Sequence, residues 1–210
     1  GAHLLARPIC SRCHYPQATC LCAQVTTLRC ATAIDILQHP AETRVAKNTA
    51  RICKLCVPQT QIWIGQDPAD FTALQAELAA ETRVVWVLYP SDLAQPFGEL
   101  IAAAQPQVGV RLLLLDATWK KAYKMWQLNP WLDLLPKANL SHLESNYRIR
   151  KSPKSHYLST LEALAYSLAA LEPELDTQPL FRAFHAMQGH FQVRDIRRAP
   201  ADTGPDAPAD

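Results

Sequence analysis

The chain has 210 residues, 49% hydrophobic and 19% charged, enough to bury one ordinary core and to exclude wholesale disorder. Its longest apolar runs, Leu112 to Leu115 and Val84 to Leu88, fall far short of the roughly 18 residues that cross a bilayer, so no membrane partner is expected. The net charge of +2 neither requires nor excludes a polyanion, and no secretory leader pattern opens the chain, so a cytoplasmic protein is expected.

Four cysteines come first, Cys10, Cys13, Cys20 and Cys22, spaced C-x2-C-x6-C-x-C with Pro16 between the pairs. Thiolates brought together by two tight turns match what tetrahedral Zn²⁺ requires, and the total of seven cysteines fits no disulfide framework. With four protein ligands the ion is structural; the competing reading is free thiols in a small core. Cys30, Cys53 and Cys56 read as packing residues. A strand is expected over Ala31 to Gln38, ended by His39-Pro40, then a helix over Thr43 to Cys56. Gln61 to Ile64 reads as a strand, Phe71 to Ala80 as a helix, Arg83 to Tyr89 as an apolar strand, and Pro96 to Ala104 as a helix.

Arg111 to Asp116 is the most apolar strand, followed by a helix to about Leu128. A strand over Ala138 to Leu143, a basic loop over Tyr147 to Tyr157 and a helix from Ser159 to about Leu171 complete the pattern, with Ser159 and Glu162 spaced as a capping box. A last helix spans Phe181 to Gln192, after Pro173 and Pro179 break the one before. Apolar strands alternating with helices predict α/β, a mostly parallel sheet covered on both faces. The domain reading is a zinc knuckle over 1–30, a catalytic domain over 31–198 and a disordered tail over 199–210.

Charge is unevenly placed. Between Lys120 and Lys154 stand eight basic residues (Lys120, Lys121, Lys124, Lys137, Arg148, Arg150, Lys151, Lys154) against Asp133 and Glu144. Such a stretch can hold a polyanion, with Trp126, Trp131, Tyr147 and Tyr157 as stacking surfaces, or it is a solvated helix face beside core aromatics.

Ligands of a parallel sheet bind beyond the C-terminal ends of its strands. Asp116 occupies such a place and reads as a helix cap, a ligand acceptor or a general base. His39, Pro40, Glu42 and Asn48 stand in the same relation to the first strand, and Tyr89-Pro90 to the third. With six glycines in the chain, no G-x-G-x-x-G or P-loop pattern follows any strand.

Together these motifs resemble the DTW-domain family, the tRNA-uridine aminocarboxypropyltransferases. The resemblance rests on Asp116-x-Thr118-Trp119 and the cysteine spacing. It rests further on His39-Pro40-x-Glu42 with Asn48-Thr49, and on Tyr147-x-x-Arg150-x-x-Pro153 leading into Leu158-Ser159-Thr160-Leu161-Glu162-Ala163. It runs from Cys10 to about Leu171. What it implies is transfer of the 3-amino-3-carboxypropyl group of S-adenosylmethionine to N3 of a tRNA uridine, that of the variable loop at position 47, on a knotted fold related to the SPOUT methyltransferases. Asp116 is then the base or orients N3, with Thr118 and Trp119 shaping the pocket. Leu88, Tyr89, Pro90, Asp116, Ser159, Thr160 and Glu162 line the S-adenosylmethionine site, the last group either by contact or through its capping box. Arg44, Lys47, Asn48, Lys120, Lys121, Arg148, Arg150, Lys151 and Lys154 hold the tRNA. No protein partner is implied. The rival readings are an S-adenosylmethionine-dependent RNA methyltransferase and a noncatalytic zinc-containing RNA-binding protein.

Overall fold

The computed structural model describes residues 7–88, 95–103, 109–140 and 158–198, with side chains up to residue 191. Six strands, β1 (Ala33–Gln38), β2 (Gln61–Ile64), β3 (Val84–Leu88), β4 (Gln95–Pro96), β5 (Val110–Asp116) and β6 (Lys137–Asn139), form one sheet in the order β2-β1-β5-β3-β6-β4. Every pairing is parallel. Among the described residues six α-helices accompany them: α1 (Ala50–Cys56), α2 (Thr72–Ala79), α3 (Phe97–Ala103), α4 (Trp119–Leu128), α5 (Thr160–Leu171) and α6 (Gln178–Arg198).

Alternation along each strand sorts the core into two layers. Ile34, Ile36, Trp86, Leu112 and Leu114 pack with Ile52 of α1, Phe97 of α3, Leu164 and Leu168 of α5 and Leu180 of α6. Leu37, Val87 and Leu113 pack on the opposite face with Leu74 of α2 and Met125 of α4. Apolar side chains on both faces of β1 and β5 therefore follow from these strands being central, each buried leucine contributing roughly 1.5–3 kcal/mol. Among the described residues no helix is long and apolar enough to cross a membrane.

The sheet buries an ion pair. Arg111 in β5 donates to both oxygens of Asp35 in β1, at 2.7 and 2.9 Å, and also reaches Glu81 at 3.2 Å. Trp63 Nε1 donates to the same Asp35 at 2.9 Å. Glu81 is held down to about 2, chiefly by the hydrogen bonds it accepts from Arg83. A carboxylate depressed in the folded state contributes stability that is complete above its unfolded value and is lost as pH falls toward 2. Arg111→Met leaves Asp35 buried without its cation and is expected to cost roughly 3–5 kcal/mol, read as a shift of the urea midpoint at neutral pH.

Four expectations need correction. The helix expected from Thr43 begins only at Ala50: Pro40–Arg44 is a 3-10 turn and Val45 is 41% exposed. Asn48 accounts for this, because its Oδ1 accepts from Ala50 N at 2.9 Å, so the side chain starts the helix where periodicity had continued it backward. Pro179 does not break a helix but sits in the first turn of α6, where a missing N–H costs nothing. The last helix runs on to Arg198 instead of stopping at Gln192. The two-residue edge strand β4 carries too short a pattern to be anticipated, and its Pro96 suits an edge. Residues 141–143 of the strand expected over Ala138 to Leu143, the Tyr147 to Tyr157 loop and the 199–210 tail lie outside the described residues.

Candidate active site and metal centre

From β1 the chain leaves through α1, on one face of the sheet, toward β2; from β5 it leaves through α4, on the other face, toward β6. The loops diverge between the C-terminal ends of these two neighbouring strands, and such a switch point is where open α/β sheets bind ligands.

The last residues of the two strands, Gln38 and Asp116, are register partners, so they project side by side on the α1/α5 face. Asp116, 6% exposed, is the hub. Its Oδ2 accepts from Gln38 Nε2 at 2.9 Å and from Asn48 Nδ2 at 2.8 Å, and its Oδ1 accepts from Thr160 Oγ1 at 2.6 Å. Three donors thus occupy most of the roughly four lone-pair positions a carboxylate offers. The same Asn48 Nδ2 also donates to Glu42 Oε2 at 3.1 Å, so two carboxylates converge on one amide. Thr49 Oγ1 accepts from Leu161 N at 3.1 Å and ties the start of α1 to the start of α5.

A second arm runs from His39. Its Nδ1 accepts from Ala41 N at 3.0 Å, which makes Nε2 the protonated nitrogen facing Gln66 Oε1 at 3.2 Å. Asn129 Nδ2 donates to the Gln66 carbonyl at 2.8 Å, and Trp131 Nε1 donates to Asn129 Oδ1 at 3.0 Å. Gly65 permits this path, since a Cβ there would run into Asp70. The β1 loop, the β2 loop and the end of α4 are thereby fixed to one another.

Other sequence-selected residues are placed differently. Thr118 caps α4, accepting from Lys121 N at 3.4 Å, and Trp119 is 43% exposed. Ser159 Oγ accepts from Glu162 N and Glu162 Oε1 accepts from Ser159 N, both at 3.1 Å, so the capping box is formed and the Leu161 and Glu162 amides are occupied by side chains. Leu88 ends β3 and packs against the α1/α5 layer. Asn48 lies inside the hub, every polar atom of its side chain engaged, where an RNA-facing position had been expected. Arg44, Lys47, Lys120 and Lys124 are exposed and Lys121 is half-buried. Of the two readings open for Trp126 and Trp131, the structure favours core aromatics: Trp126 of α4 is buried and Trp131 half-buried, and Trp126 Nε1 donates to Asp133 at 2.9 Å. Tyr89, Pro90, Arg148, Arg150, Lys151 and Lys154 lie outside the described residues. Gln38 escaped the sequence reading; its signal was a polar residue on the core-facing side of an apolar strand.

At the N-terminus the Sγ atoms of Cys10, Cys13, Cys20 and Cys22 all lie within 4.8 Å of one another. The Cys10–Cys22 and Cys13–Cys20 separations are both 3.7 Å, close to the roughly 3.8 Å between sulfurs that tetrahedral bonds of about 2.3 Å produce. Backbone N–H groups of Cys13 and Arg12 bring the Cys10 thiol down to about 6. The turn that aims them depends on His14 in the left-handed region, φ 59°. The cluster can therefore hold a metal. Its scaffold is welded to the main core: Cys13, Tyr15, Leu21 and Leu28 are buried in the same layer as α1 and α6, and Arg51 lies over the Tyr15 ring at 4.5 Å. The other three thiols stand apart from this chemistry. Burial pushes Cys30 and Cys56 up to about 11, and burial followed by the nearby Asp116 carboxylate pushes Cys53 well up, so all three stay protonated near neutrality.

The DTW domain model matches residues 7–192. The tRNA-uridine aminocarboxypropyltransferase 2 of Mus musculus is 31% identical over 175 residues, 81% of this chain and 58% of the mouse protein. The protein of the same name from Drosophila melanogaster is 31% identical over 186 residues, 85% of this chain and 72% of its own length. The tRNA-uridine aminocarboxypropyltransferase A of Arabidopsis thaliana is 28% identical over 195 residues, covering 80% and 74%. The chain thus spans somewhat over half the length of the mouse relative, 58%. No solved structure matches.

Proposed function

The chain belongs to the DTW-domain family, and from that premise we propose that it transfers the 3-amino-3-carboxypropyl group of S-adenosylmethionine to N3 of a tRNA uridine, at position 47 of the variable loop, and releases methylthioadenosine. The observation that carries the reading is the Asp116 hub at the switch point between β1 and β5, which joins Glu42, Asn48, Thr49, Asp116 and Thr160 of the family's motifs, with Gln38 beside them. The knotted SPOUT-related topology is carried by the family resemblance, on a sheet in which β6 lies between β3 and β4.

In the reaction the N3–H bond breaks, N3 bonds to the terminal carbon of the aminocarboxypropyl group, and the carbon–sulfur electron pair stays on sulfur. The methyl carbon sits on the same sulfonium, so alignment decides which group moves. The paired carboxylates of Asp116 and Glu42 suit a substrate with sulfonium and ammonium charges. Because three donors occupy Asp116, its part is to orient N3 and hold the surrounding loops, and proton removal through it uses its remaining lone pair. Thr160 contributes through its bond to Asp116, and Ser159 and Glu162 by fixing the start of α5. Leu88 ends β3 and, with Tyr89 and Pro90 that follow it in the chain, is assigned to the S-adenosylmethionine site on the family resemblance, while Thr118 and Trp119 are assigned to the pocket from the start of α4. Arg44, Lys47, Lys120, Lys121, Arg148, Arg150, Lys151 and Lys154 hold phosphates, which predicts affinity that falls steeply with salt. Zn²⁺ is the metal assigned to the cysteines: a tetrathiolate leaves no open coordination position, so it orders the N-terminus and takes no part in transfer.

The test is mass spectrometry of nucleosides from tRNA incubated with the protein and S-adenosylmethionine. Aminocarboxypropyluridine together with methylthioadenosine is the expected result. Methyluridine with S-adenosylhomocysteine would reassign the chain as a methyltransferase, and no product with tRNA still bound would leave a binding module.

A further inference from the structure

Helix α4 starts three residues beyond Asp116 and turns two very different faces outward and inward. Met125 and Trp126 are buried against the sheet. Trp119, Lys120, Tyr123, Lys124 and Gln127 are exposed, Trp119 at 43% and Tyr123 at 52%. At about 100° per residue these five fall within an arc of roughly 140°, one continuous face. Trp119 and Tyr123 are one turn apart and therefore neighbours on that face. The helix, WKKAYKMWQL, carries three lysines and no acidic residue.

Tyr123 and Trp119 expose large parts of their rings on one face, and this apolar area is available for a further contact. The lysines beside them select its charge. A hydrophobic protein partner gains nothing from the two cations Lys120 and Lys124 on this face, whereas a polyanion with flat π-faces satisfies rings and charges together. We infer that the Trp119–Tyr123 face of α4 is a stacking platform for unpaired bases of the RNA substrate, with Lys120 and Lys124 on the flanking phosphates. The inference rests on the tRNA reading above and extends it to residues, Tyr123 and Lys124, outside the family's motifs. The platform adjoins the hub: Asp116 ends β5, Thr118 caps α4, and the rings follow at once. A base stacked there holds a loop nucleotide next to the switch point, and stacking tolerates any base, so the platform adds affinity without choosing sequence.

The experiment measures tRNA binding and transfer by the full chain and by Tyr123→Ala, Tyr123→Phe and Lys124→Gln. None of these positions touches the hub. Tyr123→Ala is expected to weaken tRNA binding about tenfold and raise KM for tRNA equally, with kcat at saturating tRNA and S-adenosylmethionine affinity unchanged; Tyr123→Phe, which keeps the ring, restores binding. Lys124→Gln is expected to lower the slope of log affinity against log salt by nearly one. Wild-type affinity in Tyr123→Ala, or failure of Tyr123→Phe to restore it, overturns the platform while leaving transfer intact. If Tyr123→Ala binds tRNA normally but loses a concentration-dependent dimer, the face belongs to a second copy of the chain and the inference is wrong. Binding that depends on Tyr123 in a protein that transfers nothing supports the platform and sinks the enzymatic reading instead.

Discussion

Asp116→Ala is expected to lower turnover by roughly a hundredfold to ten-thousandfold, the range set by removing a group that moves or orients a proton. The sequence alone suggests that this variant folds normally and binds tRNA. The structure changes the first part of that expectation. Alanine leaves Gln38 Nε2, Asn48 Nδ2 and Thr160 Oγ1 without the acceptor they share, and each buried donor left unpaired costs roughly 1–3 kcal/mol. Loss of activity should therefore come with a lower urea midpoint. Asp116→Asn separates the roles, since it keeps the size and one acceptor. If Asp116 only orients, both variants remain inactive at every pH. If it removes the proton, alkaline conditions that ionise the uridine without help restore Asp116→Asn in part. Methylthioadenosine release across a pH series, beside urea unfolding, reads both. Wild-type turnover by Asp116→Ala would remove the residue from the mechanism altogether.

The second large effect is on stability. Removing the metal from Cys10, Cys13, Cys20 and Cys22 takes away what draws four thiolates together, and the segment that carries them holds only 3-10 turns and the Ile9–Pro16 bridge as regular structure. Zinc contributes roughly 10–16 kcal/mol to small zinc-finger peptides. Here the knuckle is also anchored by Tyr15, Leu21 and Leu28 in the α1/α6 layer, so only part of that amount should be lost. A cost of several kcal/mol, at roughly 2–4 °C per kcal/mol for a chain of this size, lowers Tm by about ten degrees or more. Thermal unfolding with and without chelator, with zinc release followed by an indicator dye, measures it. Because thiolates and not thiols bind zinc, the same release should become easier as pH falls. Unchanged Tm after complete chelation would mean that the cysteines are ordinary core residues.

Signals confined to a few neighbouring residues could be read directly from the chain. The apolar run of β5, the Ser159–Glu162 capping box and the C-x2-C-x6-C-x-C spacing each carry their own physical reason, whether burial on both faces, reciprocal donors at a helix start, or a tetrahedral ion. Asp116 stood out for the same reason, as a carboxylate ending the most apolar strand. The partners of that carboxylate were another matter. Gln38 lies 78 residues away and meets Asp116 only because β1 and β5 are adjacent and in register. Asn48 was placed past the first strand and, by resemblance, among the residues that hold the tRNA, yet its side chain faces inward and donates to Asp116.

Strand order and burial direction made these distinctions. No local pattern says that β5 lies between β1 and β3, or that α4 crosses on the α2 face while α5 covers the other. Once the crossover places α4, Trp126 must point at the sheet and Tyr123 at solvent, although both are aromatic residues of one basic helix. Hydrophobic periodicity measures how much of an element is buried; which distant segment buries it is settled by the packing of the whole sheet.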